Sequence, residues 1–247
     1  MIDKISRRTA SAADGLAWLS ESFSLVFKAP LAIIGIFFAW FVVVCILNFI
    51  PILGGIVSQI LNPILMAGVY AFCRQFDKKD SGSIDFNLLL SPFQDKSKLT
   101  QLALLGAINI IFFAGLLVIS GFLIGALYLA ASAAPAQLFG LPTLWIAILC
   151  VLLIITVTAL FAACNWLAVP LIMFANLKVM DALKESLMAC FDNIISTLVF
   201  GGAAVLILIV SIVPFGLGLI VTIPALFVSS YVAYKSIYLS ENIIEQT

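Results

Sequence analysis

Residues 31–50 read LAIIGIFFAWFVVVCILNFI, twenty consecutive residues without a charged side chain. An α-helix needs about 20 mostly apolar residues to cross the hydrocarbon layer of a bilayer. The whole chain has a similar character, because 64% of its 247 residues are hydrophobic and only 10% are charged. A soluble protein of this size could neither bury so much apolar surface nor cover itself with so few charges. The sequence therefore predicts an integral membrane protein.

Six stretches are long and apolar enough to cross the membrane. They lack the alternation of polar and apolar residues that is typical of barrel strands, so we expect an all-α, polytopic membrane helix bundle. The spans are Leu31–Ile50, Ile52–Cys73, Leu99–Ala130, Thr143–Phe174, Ile195–Val213 and Phe215–Leu239. The third and fourth exceed the length of a perpendicular crossing, which predicts a tilt or a break. We interpret 1–247 as a single membrane domain.

The charged residues indicate how the chain is oriented. All 12 basic residues lie before the first span, between the second and third, between the fourth and fifth, or near the end of the sixth. The turns at Pro51 and Pro214 and the loop 131–142 carry none. Because Lys and Arg accumulate in cytoplasmic loops, we expect a bacterial inner-membrane protein with both termini in the cytoplasm. Its 12 acidic residues balance the basic ones, which argues against binding to nucleic acid.

Two segments outside the spans have the pattern of amphipathic helices. In Ser11–Lys28, apolar residues at helical spacing share one face: Leu16, Leu19, Phe23, Val26 and Phe27. Ser11 and Asp14 resemble a capping box at its start. We expect this helix to lie in the cytoplasmic interface, with Trp18 at head-group depth. Asp181–Asn193 has a similar pattern, and it either docks in the interface or is a connector packed under the bundle.

Parts of the sequence recur at a nearly constant offset. The pair Glu21 and Ser22 reappears as Glu185 and Ser186, and the turn at Pro51 is matched by that at Pro214. We infer a first repeat unit at 11–74 and a second at 175–239, on either side of a middle hairpin at 75–174. Both units begin on the cytoplasmic side, so the repeat is parallel.

Prolines interrupt the returning span of each unit, at Pro63 and Pro224. A helical proline leaves the carbonyl four residues earlier without its usual donor. In transporters, interrupted helices at matching repeat positions point to a substrate site. The candidate cavity or helix-break residues are Asn48, Gln59, Asn62, Pro63, Asn109, Asn165 and Pro224. The alternative, which the sequence favours, is a pair of kinks repaired by neighbouring side chains, with the asparagines bonding across helices.

Glycine and charge patterns suggest packing rather than chemistry within the spans. Gly121 and Gly125 form a small-residue pair on the third span and predict close helix packing. The span cores hold no charged residue and the chain has no histidine, which argues against proton relays and histidine-bound metals. The five cysteines are scattered. We therefore expect no metal site, no cofactor and no catalytic residues.

Several short motifs together carry a resemblance to a known family. They are Gly15-Leu16-Ala17-Trp18, Ile50-Pro51-Ile52-Leu53-Gly54, Asn62-Pro63-x-x-x-Ala67-Gly68, Asp181-Ala182-Leu183-Lys184-x-Ser186 and Gly216-x-Gly218. The chain resembles uncharacterised bacterial six-helix inner-membrane proteins and is distantly similar to membrane domains that accompany some glycerophosphodiester phosphodiesterases. The resemblance implies an integral inner-membrane protein and transfers no functional residue.

Three functions remain as hypotheses. The first is a non-enzymatic protein with a structural role, or one that interacts with membrane lipids or other membrane proteins. The alternative is an uncoupled transporter or lipid-handling protein with a cavity between the repeats. A lipid-modifying enzyme, the least favoured, would need Glu21 and Glu185 to converge at the cytoplasmic interface. A polar cavity at mid-membrane would favour the second hypothesis, and a solid bundle the first.

Overall fold

The computed structural model describes residues 7–78, 85–133 and 141–239, and these are helical with short connections. The helices are α1 Ala12–Lys28, α2 Pro30–Asn48, α3 Leu53–Lys78, α4 Ser91–Gln94, α5 Lys96–Ala133, α6 Leu141–Trp166, α7 Ala168–Ala175, α8 Val179–Asp192, α9 Ile194–Ile212 and α10 Leu219–Tyr234. A 3₁₀ turn at Phe86–Leu90 precedes α4, and a π-helical turn at Lys235–Leu239 extends α10. The predicted outer loop falls mostly on residues 134–140, outside the described residues.

Within the part of the chain that the structure describes, six helices are long and apolar enough to cross a membrane, which confirms that part of the prediction. They are α2, α3, α5, α6 continued by α7, α9, and α10 continued by its π turn. The break expected in the fourth span occurs between Trp166 and Ala168, just before Pro170. The third span shows no break, because α5 runs continuously through its 38 residues.

The buried core is concentrated at one end of the bundle. The largest fully buried side chains include Trp18 of α1, Phe72 of α3, Leu171 of α7 and Tyr231 of α10. All these helices meet at the end that also carries the described ion pairs. The outer halves of α5 and α6 instead expose large apolar side chains such as Phe122. We call the two ends of the bundle the charged end and the apolar end.

Helix α1 is part of the core rather than a surface helix. It packs against α9 and α10 through Gly15, Trp18, Leu19, Ser22, Leu25 and Val26. Trp18 is only 1% exposed and therefore packs inside the protein, and its position at head-group depth stays a prediction. The reason for the close packing is Gly15, where an added Cβ would collide with the carbonyl oxygen of Ser196 on α9. The predicted capping box is confirmed: the Ser11 amide donates to the Asp14 carboxylate at 2.6 Å and lowers the pKa of Asp14.

Helix α8 lies against α6 and α7, which agrees with the connector alternative. Its buried residues are Val179, Ala182, Leu183, Ser186, Ala189 and Cys190. Met188 and Phe191 stay exposed on the opposite side.

Elements near the beginning of the chain have counterparts near its end. Each pair is separated by the same number of residues as Glu21 and Glu185. Helices α2 and α9 have the same length. The first and last residues of α9 follow those of α2 by this number of residues. The turns that follow also match, since Ile52 (φ 64°) and Gly216 (φ 79°) both have positive φ. Two positions further on, glycines pack on the preceding helix. An added Cβ at Gly54 would collide with Leu47, and one at Gly218 would lie 2.7 Å from the Cα of Ser211, which is the counterpart of Leu47.

Candidate functional site

A cavity of about 630 Å³ lies between α3, α5, α6, α9 and α10. Four of the candidate residues from the sequence line it: Asn62 and Pro63 from α3, Asn109 from α5 and Asn165 from α6. The other three lie elsewhere. The Asn48 amide is exposed at the end of α2 and donates to the Val44 carbonyl at 2.7 Å, whereas Gln59 and Pro224 are not on the cavity wall.

Asn62 and Asn109 lie on either side of the point where α3 crosses α5. An added Cβ at Gly106 would lie 2.7 Å from the Gln59 carbonyl oxygen, so the two backbones are in close contact there. Each asparagine is about one helical turn from this crossing. The helices run in opposite directions, and helical side chains lean toward their own N-terminus. The two amides therefore lean toward each other.

The asparagines lie far from the charged end. Asn62 precedes the end of α3 at Lys78 by more than four helical turns, and Asn109 follows the start of α5 at Lys96 by more than three. At the α-helical rise these separations correspond to about 20–24 Å along the helix axis. Thr197, which also lines the cavity, is in the first turn of α9 and so is much nearer the charged end. The cavity thus extends from near the charged end to about the middle of the bundle.

Three polar atoms on the cavity wall are buried and have no hydrogen-bond partner within the described residues. They are the Oδ1 atoms of Asn62 and Asn109 and the Oγ1 atom of Thr197. Asn165 differs, because its amide nitrogen donates to the Phe161 carbonyl at 3.0 Å. A buried acceptor without a donor costs about 1–3 kcal/mol. The three oxygens are themselves covered by neighbouring atoms, so these residues line the cavity through their remaining atoms.

The break between α6 and α7 forms part of the wall, and two serines complete its hydrogen bonds. Pro170 cannot donate to the Trp166 carbonyl, which instead accepts from the Ser230 hydroxyl of α10. The Ser186 hydroxyl of α8 accepts from the Leu167 amide at 3.0 Å and donates to the Ala163 carbonyl at 2.6 Å. Repair of a proline break by neighbouring side chains, expected at Pro63 and Pro224, is thus found at a third proline.

Ser186 and Ser230 are not among the candidate residues that the sequence pattern indicates. The sequence does contain a relevant pattern. Pro170 leaves the Trp166 carbonyl without its usual donor, and both serines occur in otherwise apolar helix faces. Which helix supplies the hydroxyl depends on packing, however, and packing between helices cannot be read from the pattern of a single segment.

Aromatic rings form a further part of the wall. Trp166 and Phe200 stack with ring centroids 5.2 Å apart. Trp18 packs on Trp166 from behind, edge to face, at 5.6 Å. Phe227 also lines the cavity and contacts Trp40 at 5.6 Å. Apart from its few polar atoms the cavity is therefore apolar, as is usual for sites that bind small organic molecules.

Small residues leave the cavity open along α6. Ala159 and Ala162 line it and are at the same time exposed to the surroundings. On α9, an added Cβ at Gly201, which lines the cavity, would meet no atom within 4 Å. The opening therefore lies beside a helix that is itself long and apolar enough to span a membrane.

No charged side chain is among the described residues that line the cavity. Cys190 of α8 also lines the cavity, and its thiol donates to the Ala163 carbonyl at 3.6 Å. Burial raises the pKa of this thiol to about 12. The thiol is therefore protonated at neutral pH. The wall carries hydrogen-bonding groups but no net charge.

Two separate clusters of ion pairs lie at the charged end. The Lys235 ammonium contacts Glu21 at 2.6 Å and Asp77 at 2.8 Å. The Arg7 guanidinium contacts Glu185 at 3.3 Å and Asp192 at 3.2 Å. Glu21 and Glu185, the acids that a lipid-modifying enzyme would need to bring together, are thus each bound to a different cation.

Gly121 and Gly125 have no packing role among the described residues. A Cβ added at either position would meet nothing within 4 Å. They line a shallow apolar groove on the outer half of α5, where Leu117 and Phe122 are exposed. No described helix of this chain packs on these glycines, so their predicted role in close helix packing stays a prediction.

Comparison with known proteins gives no further guidance to the site. No protein-family model matches this chain, and neither a curated protein nor a solved structure matches it.

Proposed function

We propose that this chain is a multi-pass membrane protein that binds a lipid-like molecule in the cavity between α3, α5, α6, α9 and α10. The observation that carries the proposal is the cavity itself, with apolar walls and an opening along α6. This favours the lipid-handling alternative over a purely structural role, because a cavity of this size costs a structural bundle packing contacts that nothing replaces.

The surface supports placement in a membrane. Leu117 and Phe122 on the outer half of α5 are 75% and 76% exposed, and apolar side chains are exposed in the same way along α6. Contiguous apolar surface of this extent is unfavourable in water and normal in lipid. Together with the basic residues at the charged end, it supports an inner-membrane protein whose charged end faces the cytoplasm.

The constant offset between matching elements supports a parallel repeat with the cavity between its units. Helix α3 of the first unit and helices α9 and α10 of the second all contribute to the wall, and the middle hairpin α5–α6 closes its remaining side. In membrane transporters, sites at the interface between repeats are a recurring arrangement.

The chemistry of the wall supports binding and passage rather than catalysis or ion coupling. Ion-coupled transport and acid–base catalysis require titratable groups at the site. The described wall residues offer amides, hydroxyls, aromatic rings and a protonated thiol. We therefore propose an uncoupled, non-enzymatic protein that takes up its ligand from the bilayer.

Filling the cavity tests this proposal. Gly201 and Gly202 are neighbours on α9, and neither position has an atom within 4 Å of an added Cβ, but only Gly201 lines the cavity. Gly201→Trp should remove a molecule that co-purifies with the wild-type protein in native membrane discs, as measured by mass spectrometry. Gly202→Trp should retain it, because that position is off the cavity wall. Identical co-purified molecules in all three proteins would contradict the proposal.

A further inference from the structure

We infer that the charged end binds anionic phospholipids of the surrounding leaflet through three exposed stripes, each of which combines apolar side chains with a lysine. The stripes lie on α1, on the segment from the 3₁₀ turn to the start of α5, and on α8. The inference rests on the proposed placement in a membrane and does not involve the cavity or its ligand. It follows from the arrangement of the three segments, from their exposed side chains and from the lysines among these.

The three segments lie on different sides of the charged end. Helix α1 packs on α10, the 3₁₀ turn and α4 pack on α3, and α8 packs on α6 and α7. Helices α3, α7 and α10 in turn contact one another. Each segment thus covers a different member of a central group of helices, which distributes the three stripes around the bundle.

The stripe on α8 has a lysine between apolar residues. Four exposed residues follow one another at spacings of about one helical turn and so share a face: Met180, Lys184, Met188 and Phe191. The opposite face is buried against α6 and α7. Exposed apolar side chains in such a row favour lipid over water, and a lysine among them extends its ammonium to the head groups. Asp181 lies in the first turn of α8, where the helix dipole already stabilises its charge.

The other two stripes combine the same kinds of side chain. Their exposed residues are Leu16, Phe27 and Lys28 on α1, and Leu90, Phe93 and Lys96 in the segment that leads into α5. Lys28 directly precedes α2, and Lys96 is the first residue of α5. Both lysines therefore lie where a helix long enough to span the membrane begins, which places them at the level of the lipid phosphates.

The ion pairs of the charged end leave these lysines free among the described residues. The cations in the described ion pairs are Arg7, Arg8, Lys98 and Lys235. Arg74 has no described ion pair either, but it is half-buried and lies over the Phe174 ring at 4.9 Å. Lys178 is exposed at the N-cap of α8 and lies outside the α8 stripe, because residues two apart do not share a helix face.

An anionic phospholipid matches both parts of each stripe. Its acyl chains cover the exposed apolar side chains, and its phosphate accepts hydrogen bonds from the lysine ammonium. A zwitterionic lipid carries its own ammonium at the same level, and this competes with the lysine for the phosphate. Each basic residue near the membrane surface favours anionic lipid by about fivefold.

Two lipids with the same chains and different head-group charge test the inference. The full-length protein would be placed in nanodiscs with equal amounts of dioleoyl phosphatidylglycerol, which is anionic, and dioleoyl phosphatidylethanolamine, which is zwitterionic. Native mass spectrometry of the released protein counts the lipids of each kind that remain bound. We expect phosphatidylglycerol to be retained in severalfold excess. Lys184→Gln should lower this ratio by about two- to fivefold, and Lys28→Gln and Lys96→Gln should act in the same way.

Lys178→Gln is the matched control, because it removes one exposed charge from the same helix but outside the stripe. It should retain the ratio of the wild-type protein. Lys184→Arg should also retain the ratio, since the charge is kept.

Three results would overturn the inference. They are equal retention of both lipids by the wild-type protein, an equal loss of the ratio in Lys178→Gln and Lys184→Gln, and a dimer that excludes lipid and is lost in Lys184→Gln. The last result would mean that a second copy of the chain covers the stripes. Gly201→Trp should leave the ratio unchanged, so that failure of the cavity proposal and failure of this inference are separate outcomes.

Discussion

Asn62 and Asn109 each bury an amide oxygen that no described residue hydrogen-bonds, whereas Ser186 and Ser230 have hydroxyls that bond to the backbone break beside them. Both kinds of residue are polar groups in apolar helices, and their sequence contexts look alike. The difference lies in what surrounds each side chain after folding. A polar group that is hydrogen-bonded within the protein supports the fold, and a buried polar group without a partner costs stability.

This difference predicts opposite effects on stability. Asn109→Leu should leave the free energy of unfolding unchanged or raise it by about 1 kcal/mol, because the variant no longer buries an unpaired oxygen. Ser186→Ala should lower it by about 1–3 kcal/mol, because the Leu167 amide and the Ala163 carbonyl would both lose their partner. Thermal unfolding of delipidated protein in detergent would measure both. A large loss of stability in Asn109→Leu would mean that Asn109 is structural.

At the scale of elements, hydropathy predicts the six long helices well because length and apolar composition are properties of each segment alone. Hydropathy does not predict which side chains of α1 are buried. Leu16 and Phe27, assigned to the apolar face, are exposed, and Trp18, assigned to the interface, is buried against Trp166. The spacing of apolar residues shows on which face of a helix they lie. Which neighbouring helix covers that face depends on where the two backbones can approach closely.

The close contact at Gly15 predicts that the fold tolerates no side chain at this position. Gly15→Leu should push α1 away from α9, because even a Cβ would collide with the Ser196 carbonyl. We expect a large loss of thermal stability and a red shift of tryptophan fluorescence as Trp18 becomes exposed. Gly35→Leu on α2 is the control, since an added Cβ there meets nothing within 4 Å. Equal stability of the two variants would show that α1 does not depend on this contact.

At the scale of the whole molecule, the sequence predicts sidedness and offers a cavity between the repeats as an alternative, but it does not predict most of the residues that line the cavity. Charge placement along the chain predicts an orientation for the spans, and Asn62, Asn109 and Asn165 stand out as amides in apolar runs. The cavity depends on the separation of α6 from α9, which is left open by small residues on both helices, and such residues occur throughout membrane helices. Asn48 and Gln59 are near Asn62 in sequence but lie off the cavity wall.

The proposed orientation is tested by accessibility of single cysteines in a cysteine-free variant. In intact cells, Gln137→Cys between the third and fourth spans should react with a membrane-impermeant maleimide. Asn87→Cys, an exposed position between the second and third spans, should react only after the cells are broken. The physical reason is that the basic segments remain on the cytoplasmic side of the inner membrane. The reverse pattern would invert the topology and move the charged end to the outside.

The depth of Asn62 and Asn109 has a consequence for traffic between leaflets. A head group held about 20–24 Å from the charged end has left the surface of one leaflet without having reached that of the other. Ordinarily a hydroxyl at this depth gives up its hydrogen bonds to water and gains none, which is what makes spontaneous flip-flop slow. A cavity that reaches this depth would lower the barrier from both directions equally. Net movement of the lipid would then follow its own concentration difference between the leaflets.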